Sequence, residues 1–88
     1  MAAYNISLKP SVKKDLQPLP KSIVARVIEQ IEALKNTPIP RQALKLSTAE
    51  RLYRIRVGDY RIVYEVDTKS MQVLIHYVRH RREVYRSL

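Results

Sequence analysis

The fold of this chain is decided by residues 52–66, which read LYRIRVGDYRIVYEV. They contain the chain's single glycine, Gly58, which is followed by Asp59 and flanked by two runs of β-branched and aromatic residues. A two-residue turn that begins with glycine is typical of a type II′ β-hairpin. The pattern therefore predicts two antiparallel strands in which Val57 pairs with Tyr60 and Arg56 pairs with Arg61.

The two faces of this predicted hairpin differ in chemistry, because side chains alternate along a strand. The apolar face is expected to form the core and carries Tyr53, Ile55, Val57, Tyr60, Ile62, Tyr64 and Val66. The opposite face, called the arginine face below, carries Arg54, Arg56, Arg61, Val63 and Glu65. Like charges directly across a strand pair are destabilising, whereas the planar fork of arginine matches phosphate geometry. Two interpretations stay open at this point, a solvated sheet surface and a phosphate-binding surface.

Composition indicates a small globular domain with an anionic partner. The chain has 88 residues, 45% of them hydrophobic, which favours a single domain over residues 1–88. Lysine and arginine number 17 against 8 aspartates and glutamates, and a net charge of +9 favours a polyanionic partner. We expect nucleic acid rather than a membrane surface, because the arginines concentrate on predicted strands and near the C-terminus. The chain has no cysteine, which excludes disulfides and thiolate chemistry.

The rest of the chain predicts an α+β fold. Residues 4–8 alternate as a first strand, Pro10 opens a short helix over residues 11–17, and residues 21–35 form a helix with one apolar stripe. Residues 41–47 are ambiguous between an extended loop and a single turn. We expect two N-terminal helices packed on one face of a small, mostly antiparallel four-stranded sheet in the order β-α-α-β-β-β. No segment approaches membrane-spanning length, so we expect a soluble cytoplasmic protein.

A last strand is predicted over residues 71–78, after a four-residue turn at 67–70. Pairing Val66 with Met71 would place Val73, Ile75 and Tyr77 on the core face. The same register would place His76 opposite Arg61, on the arginine face.

We expect neither a metal nor a cofactor, and the residues allow one kind of chemistry that needs none. In RNA, the 2′-hydroxyl can attack the adjacent phosphate if cations stabilise the transition state. Arg54, Arg56 and Arg61 can supply those cations, and Glu65 is expected to be an arginine partner. Proton transfer would fall to one of four candidates, namely Tyr85, Arg81, His80 and His76.

Three segments together resemble the RelE/ParE toxin superfamily, on its RelE side: residues 44–46 (LKL), residues 52–65 and residues 80–85 (HRREVY). The resemblance implies a toxin of a type II toxin–antitoxin pair that enters the ribosomal A site and cleaves mRNA there. It also implies a cognate acidic antitoxin. Carried over by position, the resemblance implies four catalytic residues, namely Arg56, Arg61, Arg81 and Tyr85. The expected RNA-binding residues are Arg54, His76, Arg79, His80 and Arg82.

Two other functions remain open from the sequence. A ParE-like member would bind and inhibit DNA gyrase, and would need no RNA-cleaving site. A degenerate relative would be non-toxic and would only bind the antitoxin.

Overall fold

The computed structural model describes residues 3–46 and 51–80, which form an α+β fold. Its elements in chain order are β1 (Asn5–Leu8), α1 (Pro10–Leu16), α2 (Lys21–Ala33), β2 (Leu44–Lys45), β3 (Leu52–Val57), β4 (Tyr60–Asp67) and β5 (Gln72–His80). The strands lie in the order β1-β5-β4-β3-β2. Only the β1–β5 pair is parallel, and the other three pairs are antiparallel. The α+β class is therefore confirmed, but the predicted count of four strands is wrong because the sheet has five.

The hairpin of β3 and β4 has the predicted register. Val57 pairs with Tyr60, and Arg56 pairs with Arg61. Gly58 has a φ of 59°, and Arg51 and Met71 are the described non-glycine residues with positive φ. Asp59 is not among them, so only the first turn position is left-handed, as a type II′ turn requires. Glycine is needed at position 58 because a side chain there would be strained.

The fifth strand is β2, in the segment for which the sequence left a loop or a turn open. Leu44 pairs with Arg54, and Lys45 pairs with Tyr53, at the outer edge of β3. A strand of two residues has too few side chains to show an alternating pattern. Only the presence of β3 beside this segment makes it a strand, because its backbone groups find partners there.

The core lies between the two helices and one face of the sheet. It contains Val12 of α1, Val27 and Ile31 of α2, and the inward side chains of β3, β4 and β5. Leu8 of β1 and Ile28 of α2 lie outside this core, since they are 50% and 43% exposed. Both lie at the edge of a small domain, and a small domain has too little interior to bury every apolar side chain.

The pairing of β4 with β5 differs from the predicted register. Val66 pairs with Val73 rather than with Met71. The Asp67 carboxylate accepts hydrogen bonds from the backbone N–H groups of Lys69 and Ser70 at 3.0 and 3.1 Å, and Met71 adopts a φ of 56°. The turn therefore extends through Met71, because a left-handed residue cannot continue a strand ladder. The backbone N–H of Ser70, followed by its hydroxyl and then by the backbone N–H of Lys69, lowers the pKa of Asp67.

A β-bulge then changes which side chains of β5 face the core. Tyr64 pairs with Ile75, but Val63 pairs with Tyr77, so His76 is an extra residue in β5. Beyond this bulge the alternation of β5 is inverted. Val73 and Ile75 are core residues as predicted. Tyr77, which was expected in that core, packs instead on the opposite face against Leu46 and Val63.

Tyr64 connects the centre of the sheet to the loop after α2. Its ring is fully buried, and its hydroxyl donates a hydrogen bond to the Pro38 carbonyl at 2.9 Å. Burial, followed by the neighbouring Tyr53, raises the pKa of Tyr64. The folded state therefore favours the neutral phenol, whose contribution to stability is complete below the unfolded pKa of about 10. That contribution is lost as the pH rises through the higher folded pKa.

We expect Tyr64→Phe to lower the free energy of unfolding by about 1 kcal/mol at neutral pH, because the Pro38 carbonyl loses its donor. The variant should also lose less stability than the wild type when the pH rises above about 10. Urea unfolding between pH 7 and 11 measures both effects, with Tyr4→Phe as the control for a partly buried tyrosine. Equal unfolding midpoints for Tyr64→Phe and wild type at every pH would contradict this role.

Candidate functional site

Three arginines lie side by side across the sheet and define the candidate site. Arg56 of β3 pairs with Arg61 of β4, and Arg61 pairs with Arg79 of β5. Directly paired residues project from the same face, with Cα atoms about 5 Å apart. We call this set, Arg56, Arg61 and Arg79, the arginine row. Arg54 lies on the same face, in the next row along the strands, where it pairs with Leu44 and Val63.

Arg61 occupies the centre of the arginine row and is only 7% exposed. One of its terminal nitrogens, Nη1, donates to the Tyr60 carbonyl at 3.2 Å. Within residues 3–46 and 51–80, no carboxylate forms a salt bridge with it. A buried cation between two like charges is electrostatically unfavourable. An anion bound at this position would relieve that cost.

A depression of about 300 Å³ opens beside this cation. Its lining consists of Gln42, Leu44, Arg54, Arg56 and Arg61. Arg56 is held in place by a hydrogen bond from its Nε to the Gly58 carbonyl at 2.9 Å, so the turn that fixes the hairpin register also orients this guanidinium. Three guanidinium groups around one depression suit a phosphate, which accepts several charge-assisted hydrogen bonds.

Arg79 lies differently from the other two members of the arginine row. Its guanidinium carbon is 4.3 Å from the centroid of the Tyr77 ring, which is a cation–π contact. Tyr77 in turn packs against the small apolar cluster of Leu46 and Val63 on this face. The sequence pattern missed this pair because it assigned Tyr77 to the helix-covered side of the sheet. The bulge at His76 is the reason for the difference.

His76 does not lie opposite Arg61, which corrects the register predicted from the sequence. Its Nε2 is 3.1 Å from Oε1 of Glu65, and both side chains are partly exposed. Glu65 is therefore the partner of a histidine rather than of an arginine. The pair lies two rows from the arginine row, beside Leu52 and Leu74. The geometry does not bring His76 to the depression.

His80 lies on the helix-covered side of the sheet. It pairs with Tyr60 across β4 and β5, and the two rings meet edge to face at 5.5 Å. Both residues line a groove of about 360 Å³ next to α1. The backbone N–H of Val78 in the same strand donates to the Asp15 carboxylate at 3.2 Å. The His80 ring therefore lies on the other side of the sheet from the Arg61 side chain, although Arg79 also contributes to the lining of this groove.

The remaining predicted site residues, Arg81, Arg82 and Tyr85, lie outside the described residues, and their roles stay predictions. In the part of the chain that the structure describes, no cluster of three or more His, Cys, Asp or Glu side chains could hold a metal ion. No helix among these residues is long and apolar enough to cross a membrane.

Comparison with known proteins identifies the class to which this fold and surface belong. Residues 6–85 match the family described as the ParE toxin of the type II toxin–antitoxin system parDE. The protein named RelE1 of Methanocaldococcus jannaschii is 31% identical over 96% of this chain and 97% of its own length. Toxin RelE of Mycobacterium tuberculosis is 32% identical over 94% of this chain and 87% of its own length.

A solved structure supports the same assignment. The toxin chain in the archaeal RelE–RelB complex of Pyrococcus horikoshii superposes with a TM-score of 0.80 and 35% identity. The match covers 89% of this chain and 94% of that one. The chain therefore belongs to the RelE/ParE superfamily of toxins from type II toxin–antitoxin systems, which confirms the resemblance seen in the sequence.

The position of Arg61 predicts that it lowers the stability of the fold. We expect Arg61→Met to raise the free energy of unfolding by about 1 kcal/mol at low salt, because it removes a buried charge between two arginines. The gain should shrink as salt screens the repulsion. Urea unfolding at low and high ionic strength measures this gain, with Arg26→Met, at an exposed position of α2, as the control. A less stable Arg61→Met protein at both ionic strengths would show that Arg61 contributes to folding instead.

Proposed function

We propose that this protein is a ribosome-dependent endoribonuclease that cleaves mRNA in the ribosomal A site and so inhibits translation. The observation that carries the proposal is Arg61, a buried cation that opens onto a depression with two further guanidinium groups. A group held in this way is costly for folding and well suited to an anionic ligand. The sequence similarity to proteins named as RelE toxins supports a toxin function.

The proposed reaction uses the RNA's own nucleophile. The 2′-oxygen attacks the adjacent phosphorus as its proton leaves, and the bond from phosphorus to the 5′-oxygen breaks. The products carry a 2′,3′-cyclic phosphate and a 5′-hydroxyl. The pentacoordinate transition state bears more negative charge than the diester. Fixed guanidinium groups therefore stabilise it more than they stabilise the substrate, which is the requirement for catalysis.

The described arginines take the electrostatic part of this mechanism. We assign Arg61 to the non-bridging phosphate oxygens, and we assign Arg54 and Arg56 to binding the same phosphate and positioning the strand. Arginine stays protonated in proteins and cannot serve as the general base. We assign the general base to Tyr85, at the 2′-oxygen, and we assign Arg81 to the leaving 5′-oxygen, where its charge stabilises that oxygen while it takes a proton from water. Nearby arginines would favour the phenolate form that such a base requires.

We further propose that an acidic antitoxin binds this chain. The net charge of +9 favours an anionic protein partner, and the similar chain of Pyrococcus horikoshii was solved in complex with RelB. Exposed apolar side chains give such a partner further contacts, and they include Ile28 and Leu44. An antitoxin segment that covers the arginine row would block access of RNA.

A second candidate function follows from the match to the ParE description. In that case the arginine face would bind a protein or DNA partner, and the target would be DNA gyrase. Cells that produce the protein would then keep their mRNA intact and accumulate stabilised gyrase–DNA complexes. That result would favour gyrase inhibition over RNA cleavage.

The deciding experiment is primer extension on mRNA in programmed ribosomes incubated with the purified protein. We expect cuts within the A-site codon only on ribosomes, and none in the same RNA free in solution. Arg61→Ala should reduce cleavage at least about 100-fold, because one electrostatic contact to a transition state is worth that much.

The matched control for this experiment is Arg26→Ala, which removes the same charge from an exposed position on α2. It should cleave at nearly the wild-type rate. Intact mRNA on ribosomes with the wild-type protein, or full cleavage by Arg61→Ala, would refute the proposed site.

RNA binding should also be strongly salt-dependent, because each phosphate contact releases a condensed counterion. A site built from Arg54, Arg56 and Arg61 predicts a plot of log K against log salt with a slope of roughly −2 for single-stranded RNA. Arg61→Ala should reduce that slope by about 1. Fluorescence anisotropy between 50 and 300 mM salt measures it. An affinity that is flat over this range would contradict a phosphate-binding site.

A further inference from the structure

The β-bulge at His76 determines which side chains of β5 reach the arginine face. Without the extra residue, the alternation that buries Val73 and Ile75 would direct Tyr77 and Arg79 toward the helices. With it, both side chains lie on the face that carries Arg61. Bulges recur next to functional sites, where they redirect a side chain. The bulge therefore indicates that the end of β5 contributes more to the site than positive charge.

Arg79 and Tyr77 are in direct contact on the arginine face. Tyr77 packs against the cluster of Leu46 and Val63, and the Arg79 guanidinium lies over its ring, with the guanidinium carbon 4.3 Å from the ring centroid. The guanidinium is planar and weakly hydrated, so its outer surface is a flat group that readily accepts another planar group. Arg79 is partly exposed.

We propose that Arg79, supported by Tyr77, is a stacking platform for a nucleobase of the bound RNA. The proposal rests on the proposed RNA-cleaving function and adds a position that reads bases rather than phosphates. Arg79 pairs directly with Arg61, so a base on the platform lies about one cross-strand spacing from the phosphate site. Stacking on an arginine plane or an aromatic ring is the usual way in which proteins hold single-stranded RNA bases.

The alternative is that Arg79 contacts phosphate, as proposed for Arg54, Arg56 and Arg61. The two roles differ in what the guanidinium presents. A phosphate contact uses its N–H edge and needs only the charge, whereas a stacking contact uses its flat surface and needs the support beneath it. Lysine retains the charge and lacks the plane. Arg79→Lys therefore separates the two roles.

The experiment compares two RNA hexamers of equal charge by fluorescence anisotropy. The first is a 2′-O-methyl uridine hexamer, which cannot be cleaved, and the second has the same sugar–phosphate chain without bases. We expect Arg79→Lys and Tyr77→Leu to lower affinity for the base-containing hexamer by about tenfold, the scale of one lost stacking contact. Affinity for the abasic hexamer should change less than about twofold.

The controls separate a failure of the platform from a failure of the proposed function. Tyr77→Phe keeps the ring and should bind both hexamers as the wild type does, while Arg61→Ala should weaken both. Equal losses for both hexamers in Arg79→Lys, or no loss in either, would overturn the platform and leave the phosphate site standing. A wild-type protein that binds neither hexamer would overturn the platform and the RNA-binding function together.

Discussion

Electrostatic repulsion within the arginine row is the constraint around which this structure is built. Arg56, Arg61 and Arg79 occupy directly paired positions on three adjacent strands, where like charges are destabilising. The arrangement persists because the same strands bury a continuous apolar face against the two helices, including Ile55 and Ile62. Apolar burial contributes far more free energy than a few unfavourable charge pairs remove. Burial of the core therefore stabilises a sheet on which the three arginines of the arginine row stay close together despite their repulsion.

Holding the cations in place before any ligand arrives has a functional consequence. Arg61 is buried in the central strand β4, and the Arg56 side chain is fixed to the Gly58 carbonyl. Neither group has to give up much freedom when an anion binds, so less of the interaction energy is lost to ordering. Fixed charges of this kind stabilise a transition state without reorganisation during the reaction.

The sheet also separates two chemically distinct sides. One side holds the core and, at its margin, the pair of His80 and Tyr60. The other side carries the arginines around a small apolar cluster that contains Leu46 and Val63. That cluster supports Tyr77, and Tyr77 supports Arg79. Even on the arginine face, then, apolar contacts determine where a charged group can lie.

The hairpin and the positions of three of the arginines are predictable from the amino-acid sequence. A glycine-led turn allows one register, and period-two alternation then assigns Arg54, Arg56 and Arg61 to one face. The amphipathic helices and the α+β class follow from equally local patterns. These features were predictable because each depends on residues that are close together in the chain.

The rest of the site depends on contacts between segments that are far apart in the chain. Strand β2 exists because β3 offers it backbone partners, and the register of β5 depends on the Asp67 turn and on the bulge at His76. A bulge leaves no reliable mark in a single sequence, yet one extra residue moves every later side chain to the other face. The longer turn and the bulge together place Arg79 rather than His76 beside Arg61, through long-range contacts that no local pattern records.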